Sequence, residues 1–429
     1  MSRLIVENLS PLHNVEFETK QFNILIGQQG VGKSTICKAI YFFRLLKSNI
    51  VEYLYDISIN GEREKNSHFP QALNSKNKEL FVLLFGYTWD MPENLKFSYE
   101  YTDKIIIDVL LNKKNNKNYL EIKFNSQLLK KIRELKGEAL NNHKKQNIYS
   151  ISLNINNMLR ENISKVVNSI FGDDELPTYY IPAGRSLLTL LTNQKTRLSY
   201  DNIDLVTRYF MNLIEIFSPN FNSGIQNLAK FYPKNERKFD PGLIANDIIK
   251  NLKGEYFNEG QREYLKVGDD NVLINYISSG QQEALWVLNL LYVWLLKDEK
   301  NFIIIEEPEA HLYPTMQKYL LDFICYFMNI TGSTVLITTH SPYMLTNSNL
   351  LYYAGALKLK NINSEKVTGK YKYINPENSN IYKISIDNKN NTIKEDLKVK
   401  DENDIKSELI DEVSDIINNQ YTKLIGLES

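Results

Sequence analysis

Residues 22–35, FNILIGQQGVGKST, run from an apolar, strand-like stretch directly into glycine, lysine and serine at a fixed spacing. Gly27, Gly32, Lys33 and Ser34 satisfy the pattern G-x-x-x-x-G-K-[ST]. Glycine has no Cβ, so Gly27, Gly30 and Gly32 let the chain curl until its N–H groups point inward, where phosphate oxygens can accept from them. The pattern alone could be accident. Its setting argues otherwise, because Phe22–Ile26 reads as a buried strand and Ser34–Leu46 as a helix that opens where a phosphate would sit. The predicted binding set is Gly27, Gln28, Gln29, Gly30, Val31, Gly32, Lys33, Ser34 and Thr35. Within it, Lys33 is expected to reach β- and γ-phosphates and the Ser34 hydroxyl to ligate Mg²⁺. The implied ligand is a nucleoside triphosphate.

Bulk properties narrow the class. The 429 residues leave room for one large or two ordinary domains with a proper core. Basic and acidic residues balance at 51 each, so no overall field draws the chain to nucleic acid or to an anionic membrane. The two cysteines, Cys37 and Cys325, sit in apolar helix-like stretches and read as buried, reduced thiols. The start, MSRLIVENL, goes straight into a strand and lacks the layout of a signal peptide, and the most apolar stretch, Ala284–Leu296, is too short to span a bilayer. A cytoplasmic protein with no membrane segment is expected.

Outward from the phosphate loop, the chain reads as α/β. Leu4–Leu9 and Val15–Gly27 look like strands, and Leu95–Tyr101, Lys104–Asn112 and Asn118–Asn125 look like an antiparallel meander. From about Gln127 to Asn251 the pattern is helical, with Val206, Tyr209, Phe210, Leu213, Ile214 and Phe217 on one face and a single strand, Thr178–Ala183, interrupting it. Arg262–Val267 and Val272–Ile277 read as a hairpin. Asn301–Pro314 and Ser333–Pro342 each begin with a short, wholly apolar strand that ends in polar residues, as the centre of a mostly parallel sheet requires. The tail from Ala356 returns to short strands and ends in an acidic amphipathic helix carrying Ile405, Leu409, Val413 and Ile416. The expected division is residues 1–126 for a first lobe with phosphate loop and meander, 127–260 for a mostly helical insertion, 261–355 for a second lobe, and 356–429 for a C-terminal subdomain.

Three further stretches carry chemistry. FIIIEE ends in Glu306 and Glu307, and a magnesium nucleotide site needs such a pair, one carboxylate for the metal and the next to orient the attacking water. SSGQQE, residues 278–283, opens a helix whose N–H groups and dipole favour an anion; alone it is an ordinary helix cap. His340 follows the strand VLITT, where it could donate to a γ-phosphate or hold the water.

The order GQQGVGKST, SSGQQ, IIIEEPEAHLYP, ITTHSP resembles the ATP-binding-cassette and SMC branch of P-loop ATPases, most closely its RecF/OLD-like members, many of them encoded in bacterial anti-phage systems. YIPAGR, residues 180–185, recurs in stand-alone members. The resemblance is strong over residues 4–46 and 277–345 and architectural elsewhere. It implies an ATPase head with a mostly parallel core sheet, an antiparallel β-subdomain and a helical insertion. It also implies ATP and Mg²⁺ as cofactors, with Lys33 on phosphate, Ser34 and Glu306 serving the metal, Glu307 as catalytic carboxylate and His340 as switch histidine. Ser279, Gly280 and Gln282 match the signature motif, which in that family reads the γ-phosphate of the opposite subunit. Glu306 stands where cassette transporters have Asp, and Gln281 replaces the second signature glycine; both departures fit the RecF/OLD side. The glutamine that senses Mg²⁺ in that family has no assigned position here, and Arg185 is left open between phosphate, a partner and a structural ion pair.

The resemblance further implies a head-to-head dimer or larger homo-oligomer that regulates a separate effector. Two alternatives compete with it. A DNA clamp would use the basic run Lys130, Lys131, Arg133 and Lys136, with Lys144 and Lys145 beyond, although such a run also suits a solvated helical face. A transporter motor is disfavoured by the helical region, and a built-in nuclease by the tail, whose acids Asp401, Glu402 and Asp404 read as part of a solvated helix.

Overall fold

The short apolar runs come together as a central sheet because each is hydrophobic on both faces and must be covered twice. The computed structural model describes residues 2–9, 12–62, 69–86, 94–114, 117–145, 153–172, 176–186, 203–234, 236–260, 262–388, 391–399, 403–406 and 420. The first part of the chain forms β1 (Arg3–Glu7), β2 (Val15–Glu18), β3 (Phe22–Ile26), α1 (Lys33–Asn60), α2 (Gln71–Phe85), β4 (Lys96–Thr102), β5 (Ile105–Lys114) and β6 (Lys117–Phe124). The middle forms α3 (Ser126–Lys145), α4 (Leu153–Ile170), β7 (Thr178–Ile181), α5 (Leu205–Phe217), α6 (Pro241–Leu252), β8 (Glu255–Glu259), β9 (Arg262–Val267) and β10 (Asp270–Leu273). The last part forms α7 (Ser279–Lys297), β11 (Phe302–Glu306), α8 (Pro314–Thr331), β12 (Thr334–Thr339), α9 (Pro342–Leu359), β13 (Ser379–Ile386), β14 (Thr392–Asp396) and the small pair β15 (Lys398–Val399) and β16 (Asp404–Ile405).

The central sheet has the order β14-β13-β3-β12-β11-β7. Its strands are parallel except β14, and the register sets Ile24 beside both Ile337 and Ile381, and Ile304 beside both Leu336 and Tyr180. Side chains alternate across it. Phe22, Ile24, Ile303, Ile305, Val335 and Ile337 enter one core with α7 and α8, while Leu25, Ile304 and Leu336 enter a second core with α1 and the five-stranded antiparallel sheet β2-β1-β4-β5-β6. The α/β class with a mostly parallel core sheet and an antiparallel β-subdomain is the expected one.

Differences from the sequence reading are local. The stretch read as a helical insertion supplies β7 to the edge of the core sheet. The tail strand β13 enters the same sheet parallel to β3. Ala356 lies inside α9, not at the start of a strand region. Val272 and Leu273 complete the β9–β10 hairpin as expected, but Ile274–Tyr276 forms a 3₁₀ turn. Ile405 and Asp404 belong to β16, where Ile405 is buried, so a two-residue strand replaces the expected helix at that point. Asp401, Glu402, Leu409, Val413 and Ile416 lie outside the described residues. Ala284–Leu296 is a buried core helix within α7. Both cysteines are free and buried, and no helix among the described residues is long and apolar enough to cross a membrane.

Candidate active site

β3 delivers the phosphate loop at its carboxyl end, and close packing dictates the first glycine. A Cβ on Gly27 would lie 2.1 Å from the Ile384 carbonyl oxygen of β13. The loop closes at Gly32, whose φ of 96° only glycine adopts readily, and Ile36 N–H donates to the Gly32 carbonyl at 3.0 Å to start α1. Gly32, at the amino end of α1, has no side chain with which to cap that helix, and the first-turn N–H groups and the helix dipole favour an anion there. Val31 is buried beneath the loop, whereas Gln28, Gln29 and Ser34 are exposed and Thr35 is half-buried.

Lys33 is buried and directs all three ammonium hydrogens inward. Nζ donates to the carbonyls of Gly27 and Gln28, each at 2.7 Å, and lies 3.4 Å from Nδ1 of His340. Burial pulls its pKa down to about 8, against the carboxylates of Glu307, Glu309 and Glu306, which act to raise it. The imidazole's other nitrogen, Nε2, sits 2.8 Å from Oε1 of Glu307. The His340 ring thus bridges Lys33 and Glu307, one nitrogen facing each.

β11 and β12 are neighbours, so the acids and the histidine at their carboxyl ends meet. Glu306 is buried beside the Tyr180 phenol, and among the described residues its Oε1 has no hydrogen-bond partner of normal geometry. Burial first, and the Glu306 carboxylate second, push the Tyr180 phenol far above its ordinary range. A buried carboxylate with an oxygen left over fits a hard cation that takes oxygen ligands, and Mg²⁺ keeps most of its shell as water and phosphate. Glu306 and the Ser34 hydroxyl are the residues that would hold it. When bound, the ion would neutralise charge on the transferring phosphoryl group.

Sequence reasoning passed over Glu309. It is buried, and its Oε1 accepts from the Thr339 hydroxyl at 2.5 Å and from His340 N–H at 2.7 Å, holding the histidine from behind. The signal was present in EEPEA, three residues after Glu306. Arg185, left open above, makes an ion pair with Glu283, Nε to Oε2 at 3.1 Å, both side chains wholly buried.

The signature stretch is not gathered into this cluster. Ser278 forms a capping box with Gln281 at the start of α7. Gly280 is small because a Cβ there would stand 2.8 Å from the His311 carbonyl oxygen. Gln282 is buried and turned into its own lobe, its amide donating to the carbonyls of Ile274 at 2.9 Å and Ile277 at 3.4 Å, so its side chain does not face outward as a phosphate ligand would. Ser279 is exposed. On α3, Lys130, Lys131 and Arg133 are exposed, but Glu134 and Glu138 interleave with them and Lys136 pairs with Glu62 at 2.6 Å. That is a mixed, solvated face; the side chains of Lys144 and Lys145 lie outside the described ones.

No curated protein matches the chain. Among solved structures it is similar to an SMC head bound to the C-winged helix domain of ScpA, at 13% identity and a TM-score of 0.41, over 93% of this chain and 97% of that one. It is also similar to the SMC head domain from Thermotoga maritima, at 10% identity and a TM-score of 0.38, over 92% and 98%. A dimeric ATP-binding cassette bound to ADP and phosphate shares 14% identity at a TM-score of 0.27, over 80% and 88%. The AAA ATPase domain family is matched over residues 1–345, and the chain belongs to it as an ATP-hydrolysing enzyme.

Proposed function

We propose that this ATPase works as a Mg²⁺-dependent head that pairs with a second copy of itself on ATP and thereby regulates a separate effector protein, in the anti-phage setting of RecF/OLD-like ATPases. Within one head, Lys33 holds the β- and γ-phosphates, Glu306 and Ser34 hold the metal, and Glu307 orients the attacking water with His340 beside it. The observation that carries the pairing is the split of the motifs. His340 stands within hydrogen-bonding reach of both Lys33 and Glu307, whereas the amino end of α7 is bonded inside its own lobe and leaves Ser279 exposed.

Exposed aromatic residues add to this. Tyr276 precedes the signature and is 79% exposed, Tyr313 follows the acid-strand turn at 75%, and Tyr343 follows His340 at 55%. Exposed aromatic side chains close in sequence to the site residues are the kind that interfaces cover. Contacts made only in the closed pair would bias the equilibrium towards it, and hydrolysis would release them.

The test is complementation. Lys33→Ala and Ser279→Arg proteins, each inactive alone, are mixed, and shared sites predict that mixed dimers regain part of the ATPase activity through one intact site. A mixture that stays inactive although mixed dimers form would exclude sites shared between heads.

A further inference from the structure

Arg185 is 1% exposed, and a buried guanidinium is unfavourable unless its donors find acceptors. Its fork is spent on one place. Nη1 donates to the carbonyls of Pro182 at 2.8 Å and Glu306 at 2.7 Å, and Nη2 donates to the carbonyl of Glu307 at 2.9 Å. Arg185 therefore grips the two consecutive peptide oxygens that belong to the metal-side and water-side carboxylates.

The grip matters because of the backbone at Glu307. Its φ is +43°, a left-handed conformation that a residue with a Cβ takes only when its surroundings impose it. Thr338 holds the N–H side, accepting from Glu307 N through its carbonyl oxygen at 3.0 Å, and Arg185 holds the C=O side. With both sides fixed, the Cα–Cβ bond aims the carboxylate at Nε2 of His340. Arg185 is itself seated on Glu283, a fully buried residue of α7. The carboxylate oxygen Oε2 accepts from the Arg185 backbone N–H at 3.1 Å, Oε1 accepts from Ser186 N–H at 3.0 Å, and the Glu283 carbonyl accepts from Arg185 Nε at 3.0 Å. Glu283 lies one turn after Gly280, in the same helix that turns Ser279 outward.

We propose that Arg185, seated on Glu283, is a positioning residue that holds Glu307 in its hydrolytic orientation and ties it to the amino end of α7. This rests on the ATPase roles given above for Lys33 and Glu307.

The test compares Arg185→Lys and Glu283→Gln, each alone and combined with Glu307→Gln. Lysine keeps the charge but not the planar fork, so it cannot hold both carbonyls and Glu283 together. For each single variant, kcat should fall roughly ten- to hundredfold, the scale of a small misplacement of a catalytic group. ATP affinity measured by calorimetry should stay within about threefold, because ground-state phosphate contacts are untouched. In the Glu307→Gln background the same substitutions should change the residual rate by less than about twofold, since they act only through Glu307.

Normal kcat, a loss of affinity equal to the loss of turnover, or an undiminished effect in the Glu307→Gln background would each overturn the inference. Thermal melting separates misfolding from misplacement, and the nearly isosteric Glu283→Gln provides the readout if Arg185→Lys does not fold. If Lys33→Ala and Glu307→Gln turn over normally, the site assignment fails and takes this inference with it. If those are impaired and Arg185→Lys is not, this inference alone fails.

Discussion

The Glu307 carboxylate and the His340 imidazole stand 2.8 Å apart, Oε1 to Nε2, although 33 residues separate them in the chain. Parallel pairing of β11 with β12 brings the two strand ends together, and Glu309 steadies the histidine from the other side. In the roles proposed above, the carboxylate that orients water and the imidazole beside it would act as one unit, and units of this kind respond non-additively to mutation.

Glu307→Gln should therefore bind ATP normally and lose at least about a hundredfold in kcat, the scale of removing a water-positioning group. His340→Ala should cost about ten- to a hundredfold alone and little more when added to Glu307→Gln. Single-turnover kinetics with a calorimetric affinity for each variant checks this. Full additivity of the two losses would mean that the pair does not act together.

Lys33→Ala should remove turnover and weaken ATP binding by roughly tenfold or more, because the only cation placed on the loop is lost from a buried position. Its three hydrogen bonds to the Gly27 and Gln28 carbonyls and to His340 also make it a strut of the loop. Melting temperatures must accompany the binding measurement. Wild-type turnover in a cleanly purified Lys33→Ala protein would refute the phosphate-loop assignment.

Chelating divalent cations should stop hydrolysis reversibly, with Mg²⁺ restoring it. Glu306→Gln should raise the Mg²⁺ concentration needed for half-maximal rate by about tenfold or more while leaving the fold intact, since an amide is a poorer ligand for a hard cation than a carboxylate. A Mg²⁺ dependence identical to that of the wild type would place the metal elsewhere.

Gly27→Ala should lower stability by roughly 1–3 kcal/mol, the usual cost of forcing extra atoms into a packed site. The new methyl group would meet the Ile384 carbonyl oxygen, a backbone atom that cannot rotate away, at 2.1 Å. Nucleotide affinity should fall with it because the loop must shift. Unchanged melting and binding would show that β13 yields without cost.

Much was legible in residue order alone. Short, mostly apolar runs read as strands, those of β11 and β12 as the centre of a mostly parallel sheet, and β3, β11 and β12 form as read, because a strand apolar on both faces has no stable place except between two layers. Glycine spacing marked the turn between β3 and α1, where Gly30 and Gly32 take positive φ. Of the predicted helical face, Val206, Phe210, Ile214 and Phe217 are buried as its period required, while Leu213 is half-buried and Tyr209 is left 39% exposed.

What only the tertiary structure decided concerns residues whose partners lie far along the chain. Nothing local in SNIYKISI says that β13 inserts beside β3 and presses Ile384 against Gly27, or that β7 leaves a helical region to close the sheet edge. The motif SSGQQE reads as a helix start whose N–H groups favour an anion, yet Gln282 turns inward and Glu283 is buried on Arg185, 98 residues earlier. Periodicity and composition act over a few residues, whereas strand register and the pairing of buried charges are settled by the whole packed core, where each polar group must find its partner.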